Sequence, residues 1–212
     1  MKKNIFLFIK RSFDIIVSIL ALVILTIPML IVAICIKMED GSPVVFKQLR
    51  MGKNLKPFYI YKFRTMKTQR EELNSKLTHE EMVTKVGKIL RATSIDELPQ
   101  LINILKGEMS FIGPRPWIME YYEFFTEEQK RRSEVKPGIT GLAQANGRNA
   151  LNIFRKIDYD LEYVNNMSLW LDIKIFFLSI IAVIKKTNAE ISENGIKDEL
   201  TELKEQKENV HI

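Results

Sequence analysis

Ile15 to Ile36 runs 22 residues without a charged side chain (IIVSILALVILTIPMLIVAICI). At about 1.5 Å of rise per residue, a helix of this length reaches across the hydrocarbon core of a bilayer. Few soluble helices are apolar on every face over such a length. A secretory leader has a shorter apolar core and a small-residue cleavage site. Ile34-Cys35-Ile36-Lys37 is a poor cleavage site. The segment therefore reads as a membrane anchor.

Both flanks of this run are basic. Lys2, Lys3, Lys10 and Arg11 precede it, and Lys37, Lys47, Arg50, Lys53 and Lys56 follow it. Positive residues prefer the cytoplasmic side, so both flanks ask for the same side. Pro28 lies within the run and removes one helical hydrogen bond. Lipid offers no water to the freed carbonyl, and Thr26 and Ser18 supply hydroxyls nearby. These facts favour a re-entrant helix over a straight crossing.

The rest of the chain is compatible with an ordinary folded body. The 212 residues carry 32 Lys+Arg against 26 Asp+Glu, and 46% are hydrophobic. That composition excludes collagen-like, low-complexity and wholly disordered chains. One cysteine, Cys35, excludes an intramolecular disulfide framework and a cysteine-rich zinc site. With only His79 and His211, a histidine-based triad or metal site has little to draw on. Chemistry falls to carboxylates and basic groups. Residues 1–184 hold 27 Lys+Arg against 19 Asp+Glu. A basic body suits an anionic partner: a membrane surface, nucleic acid or a phosphorylated substrate.

Pattern reading gives an α+β chain that is mostly helical. Pro43 to Gln48 and Phe58 to Phe63 flank a turn at Met51-Gly52-Lys53-Asn54 and predict a small β-hairpin. Gln69 to Glu81 reads as a loop with some helix, and Val83 to Leu90 as a short helix. Ser94 opens an apolar-periodic helix through Leu98, Leu101, Ile102 and Leu105, ending near Gly107. Trp117 to Arg132 reads as largely helical, Lys136 to Gly141 as a turn-rich loop, and Ala150 to Val164 as helical. Ser168 to Lys186 is a final helix whose uncharged core is too short to span; Trp170, Asp172 and Lys174 at one end and Lys185-Lys186 at the other suit an interfacial position. The polar remainder reads as a loosely ordered tail.

Asp96-Glu97 is the carboxylate pair with most chemical promise. A purely structural reading stands beside it, because Ser94-x-x-Glu97 matches a capping box and acids favour the first turn of a helix. The neighbours tilt the balance. Arg91, Arg115 between two prolines, Arg148 after a glycine-rich loop, and Lys62 and Arg64 on the hairpin surround the pair with candidate cations. Cations around two carboxylates and a helix N-terminus suit phosphate groups and a divalent metal.

Four segments carry a resemblance to a known family. They are Tyr61-Lys62-Phe63-Arg64-Thr65-Met66; Arg91 with Asp96-Glu97-Leu98-Pro99-Gln100; Met109-Ser110-Phe111-Ile112-Gly113-Pro114-Arg115-Pro116; and Pro137-Gly138-Ile139-Thr140-Gly141-Leu142-Ala143-Gln144 with Asn146-Gly147-Arg148-Asn149. In order and spacing they resemble the bacterial sugar transferases, also called monotopic phosphoglycosyl transferases. The likeness covers about residues 8–186. The short form, with one membrane segment, looks like the diacetylbacillosamine-phosphate transferase branch.

The resemblance implies transfer of a sugar phosphate from a UDP-sugar to undecaprenyl phosphate. The products are UMP and an undecaprenyl-diphosphate sugar, which starts a surface polysaccharide or glycoprotein glycan. It implies Asp96 as the nucleophile that holds the phosphosugar covalently, and Glu97 as its partner in holding Mg²⁺. Arg91 and Arg115 match phosphate-contacting residues, and Lys62 and Arg148 match phosphate or nucleotide contacts. It also implies a re-entrant helix broken at a Ser-Pro pair, where this chain has Ile27-Pro28.

The expected organisation is therefore a membrane-anchoring helix over 1–40, a catalytic domain over 41–186 and a polar tail over 187–212. The expected location is the cytoplasmic face of a bacterial inner membrane. The expected partners are the UDP-sugar, undecaprenyl phosphate and membrane lipids, with no nucleic acid. Two other readings use the same residues. A membrane-attached nucleotide-sugar phosphohydrolase would replace the lipid phosphate by water. A non-enzymatic basic membrane-binding module would keep Asp96-Glu97 only as caps.

Overall fold

The computed structural model describes residues 3–68, 78–147, 151–184 and 193–210. In chain order it contains α1 (Lys3–Asp40), β1 (Val45–Met51), β2 (Pro57–Phe63), α2 (His79–Met82), α3 (Lys85–Thr93), α4 (Gln100–Lys106) and β3 (Ser110–Ile112). Then follow α5 (Glu127–Lys130), β4 (Gly138–Thr140), α6 (Leu142–Ala145), α7 (Ile153–Asn166), α8 (Leu169–Ile184) and α9 (Glu193–Val210). The fold is mostly helical, with two small sheets. The predicted hairpin is present: β1 and β2 pair antiparallel from Val45 opposite Phe63 to Met51 opposite Pro57. The second sheet has no sequence counterpart. There β3 and β4 run parallel, with Ser110 opposite Gly138 and Ile112 opposite Thr140.

The long helix α1 continues through Pro28. The hydroxyl of Thr26 donates to the Leu22 carbonyl at 2.6 Å, not to the carbonyl of Ile24 that proline frees, and Ser18 is buried without a partner. Neither hydroxyl takes the expected role. One stripe of α1 faces the body. Ala21, Leu22 and Leu25 pack on the cluster of Phe58, Ile60, Leu101, Ile104 and Met109. Met29, Val32, Ala33 and Ile36 pack with Phe63 and Leu90. These positions recur at three- and four-residue spacing, as one helical face requires. The opposite face, including Ile16, Leu20, Val23, Ile24, Ile27 and Ile31, is exposed.

Polar contacts fasten both ends of α1. Near its start, Lys10 pairs with Asp172 of α8 at 2.6 Å. Arg11 donates to the Ile104 and Leu105 carbonyls at 2.6 and 2.8 Å, closing the C-terminal end of α4. At its end, the Glu39 carboxylate accepts from Lys85 N and Val86 N at 2.7 and 2.9 Å. It thereby satisfies orphan donors at the start of α3. Arg64 binds the Asp40 and Gly41 carbonyls, both at 2.9 Å.

Residues 117–132 are largely helical, as expected, in short pieces rather than one run. A 3₁₀ segment covers Met119–Glu123, and Thr126 with Gln129 forms a reciprocal capping box that starts α5. The tail is not loose over 193–210. α9 buries Leu203 completely against Tyr121, Tyr122, Phe125, Ile153 and Ile157. Glu199 accepts from Tyr121 Oη at 2.8 Å and pairs with Lys156, and Gln129 bonds Gln206 at 3.0 Å.

Candidate active site

β2, α3, the 3₁₀ turn that follows α3 and the loop after β3 bring the candidate residues together. β2 ends with Lys62 and Phe63. Thr65 follows and touches α3, because Thr84 N donates to the Thr65 carbonyl at 3.0 Å. Gly87 makes that approach possible: a Cβ there would lie 2.1 Å from the Thr65 carbonyl oxygen. Arg91, in the last turn of α3, donates through Nε to Thr65 Oγ1 at 3.0 Å. Ser94 then turns left-handed (φ 57°) and ends α3.

Asp96 and Glu97 lie on the short 3₁₀ turn Ile95–Glu97 rather than inside a capped α-helix. Ser94 makes no side-chain cap bond, and α4 begins only at Gln100. The capping-box expectation therefore fails. The Glu97 carboxylate points elsewhere: its Oε1 accepts from Lys62 Nζ at 2.7 Å and from Arg115 Nη2 at 3.0 Å. Asp96 differs. Among the described residues its carboxylate makes no hydrogen bond and no ion pair within 4.0 Å. The pair thus divides into one locked carboxylate and one free one.

Electrostatics separates them further. Burial alone would raise Glu97, but Arg115 and Lys62 outweigh it and hold the carboxyl down to about 2. Burial pushes Asp96 above the ordinary aspartate range. Glu97 adds to that, while Lys62, Arg115 and Arg91 pull against it.

The loop carrying Arg115 is fixed from behind. Gly113 N donates to Thr140 O and Gly138 N to Pro114 O, both at 2.9 Å. A Cβ on Gly138 would lie 2.2 Å from Gly113 N, so the two backbones meet only because glycine stands there. Arg132 Nη2 donates to the Arg115 carbonyl at 2.7 Å. Arg132 is itself fixed by Asp160 Oδ2 at 2.6 and 2.9 Å, by Tyr122 Oη at 2.7 Å, and by stacking 4.3 Å over Trp117. Arg115 remains 40% exposed at its side chain, within reach of a ligand.

Of the residues expected in the site, Lys62, Arg91, Asp96, Glu97 and Arg115 converge. Arg148 lies outside the described residues. Sequence reading missed Thr65 and Arg132. Thr65 sits inside a motif whose lysine and arginine are the stronger chemical signals. Nothing local marks Arg132, whose carboxylate partner is 28 residues away.

The bacterial sugar transferase family profile matches residues 5–186. The uncharacterized sugar transferase EpsL of Bacillus subtilis is 47% identical over 176 residues, 83% of this chain and 87% of that protein. The UDP-glucose:undecaprenyl-phosphate glucose-1-phosphate transferase of Escherichia coli is 41% identical over 182 residues, 81% of this chain and 39% of that one. The undecaprenyl-phosphate galactose phosphotransferase of Salmonella typhimurium is 36% identical over 199 residues, covering 86% and 42% respectively. The chain spans most of the first relative and about two-fifths of the other two.

Proposed function

The chain belongs to the bacterial sugar transferase family, and on that footing we propose that it moves a sugar 1-phosphate from a UDP-sugar to undecaprenyl phosphate. The observation that carries the reading is the divided carboxylate pair. Asp96 is free to attack, while Glu97 is held by Lys62 and Arg115. The names of the Escherichia coli and Salmonella relatives support the lipid acceptor, and the former supports the UDP-linked donor.

In the first half-reaction, an Asp96 oxygen attacks the β-phosphorus of the donor. An acyl-phosphate bond forms, and the bond to the bridging oxygen breaks. UMP leaves with that electron pair. In the second half, an oxygen of undecaprenyl phosphate attacks the same phosphorus. The Asp96 carboxylate is released and the undecaprenyl-diphosphate sugar forms. Arg115, Lys62 and Arg91 offset the phosphate charge while the negative groups are brought together. Thr65 orients Arg91.

Asp96 and Glu97 suit Mg²⁺, which binds through one or two carboxylates and completes its shell with phosphate oxygens and water. Lys62 and Arg115 both use Oε1 of Glu97, leaving Oε2 for such a ligand. When bound, the metal would neutralise phosphate charge. The family resemblance matches Arg148 to phosphate or nucleotide contact.

The membrane supplies the acceptor. α1 presents an exposed apolar face, and Lys10-Asp172 ties it to α8, where Leu169, Trp170, Phe176, Phe177 and Ile181 are exposed. An apolar surface of this extent marks a membrane contact. Both ends of α1 are bound to one body, which supports a re-entrant placement with the catalytic residues on the cytoplasmic face.

The test is UMP release by the purified chain with Mg²⁺, across a panel of UDP-sugars, with and without undecaprenyl phosphate. Sustained release that needs the lipid and vanishes in Asp96→Asn is expected, because an amide cannot form the acyl phosphate. Lipid-independent turnover would point to hydrolysis instead. Full activity in Asp96→Asn would reject the nucleophile.

A further inference from the structure

Arg50 stands at the edge of the described site with no task there. It lies on β1, opposite Phe58 of β2. Directly paired residues of an antiparallel ladder project to the same face. Phe46 pairs with Lys62, so Gln48 and Arg50, two and four residues on, share the face that presents Lys62 to Glu97. The end of β1 is also joined to the Arg115 loop. Met51 N donates to the Trp117 carbonyl at 3.1 Å, and Met51 and Gly52 line one small cavity with Pro114, Arg115 and Pro116.

The guanidinium is poorly satisfied for a side chain so placed. It carries five N–H donors. Nη2 meets the neutral amide of Gln48 at 2.5 Å, while Nε is buried without a partner. Among the described residues no carboxylate lies within 4.0 Å of it. Other buried arginines here have a carboxylate: Arg132 has Asp160, and Arg64, whose Nε is also unpartnered, has Asp40 and two carbonyls. Burial and the like charge of Arg115 pull Arg50 down to about 10, against the opposing pull of Tyr121, Glu120 and Glu97. Two guanidiniums therefore face a region where Glu97 is already shared between Lys62 and Arg115. A ligand with two adjacent anionic phosphates would relieve the repulsion.

We propose that Arg50 is a further substrate-binding residue, a second guanidinium beside Arg115 that grips the diphosphate of the nucleotide-linked donor. The inference rests on the functional reading above and deepens it by adding a contact that distinguishes a nucleoside diphosphate from a monophosphate. Arg115 spans from Glu97 to the ligand, and Arg50 supplies donors that no protein group occupies.

The test is calorimetric titration of UDP and of UMP into the purified full chain with Mg²⁺, comparing wild type, Arg50→Gln and Arg50→Lys, with a thermal melt of each. Arg50→Gln should weaken UDP by about tenfold or more and UMP by much less. Arg50→Lys, which keeps charge but loses the fork, should fall between. Unchanged UDP affinity in Arg50→Gln would overturn the inference while leaving the transferase reading intact. An equal loss for UDP and UMP would overturn the diphosphate assignment. Should Arg50→Gln melt early, Arg50→Lys decides on the same criterion. A wild-type chain that binds neither nucleotide would remove the functional reading, and this inference with it.

Discussion

Asp96 and Glu97 share a peptide bond and live under opposite electrostatics. Glu97 ionises more easily in the fold than in the unfolded chain, because Arg115 and Lys62 override its burial. A depressed carboxyl contributes stability that is present above its ordinary value, 4.5, and lost as pH falls toward its folded value, about 2. The metal-free protein should therefore lose at most about 3 kcal/mol from this residue between those pH values. Denaturant unfolding at pH 7 and pH 3 checks it, with Glu97→Gln as the reference. The variant should show a shallower loss, and identical slopes would mean the two cations do not hold Glu97. Asp96 runs the other way. Burial raises it, so the carboxylate that would attack in the proposed mechanism is lost at a higher pH than for an ordinary aspartate. Much of this site is legible in the sequence, because Lys62, Arg91, Asp96, Glu97 and Arg115 sit in recognisable runs. Arg132 is not, because its meaning depends on partners that only the fold supplies.

Among the elements, α9 shows most clearly what periodicity hides. It lies beyond the segment matched by the family, and its residues are mostly charged or polar. Leu200 and Leu203, three residues apart, carry its packing on the body. Two leucines in a charged run give a weak amphipathic signal, so the segment reads as tail. The hairpin was legible because apolar strand residues flank a glycine-containing turn. The β3–β4 pair was not, since three-residue parallel strands leave no period to detect. Docking of α9 has an energetic consequence. Leu203 is wholly buried, so Leu203→Ala should cost about 2–5 kcal/mol where α9 packs. The same change should expose Tyr121, whose hydroxyl donates to Glu199. A thermal melt together with hydrogen exchange over 193–210 measures both. An unchanged melt with unprotected amides would show that α9 does not dock.

At the scale of the whole molecule, the arrangement of α1 decides how the protein meets a membrane. A helix of 38 residues is about 57 Å long, more than a straight crossing needs. Yet its start is bound to α8 and α4 through Lys10 and Arg11, and its end to α3 and to Arg64 through Glu39 and Asp40. Those anchors belong to one polar body. A crossing that put the two ends on opposite sides would have to break one set of contacts or draw charged groups through hydrocarbon, where each costs several kcal/mol. Both basic flanks also prefer the same side. The expected topology is therefore a helix laid into one leaflet, its outer face of Val23, Ile24, Ile27 and Ile31 in lipid and its inner face on the body. Single cysteines at Asn4 and Lys56, both exposed, test it in a background with the exposed Cys35 changed to Ser. In sealed cells a membrane-impermeant maleimide should label neither; after permeabilisation it should label both. Labelling of one site alone in sealed cells would make α1 a spanning helix, and the contacts at one of its ends would then have to be absent in the membrane.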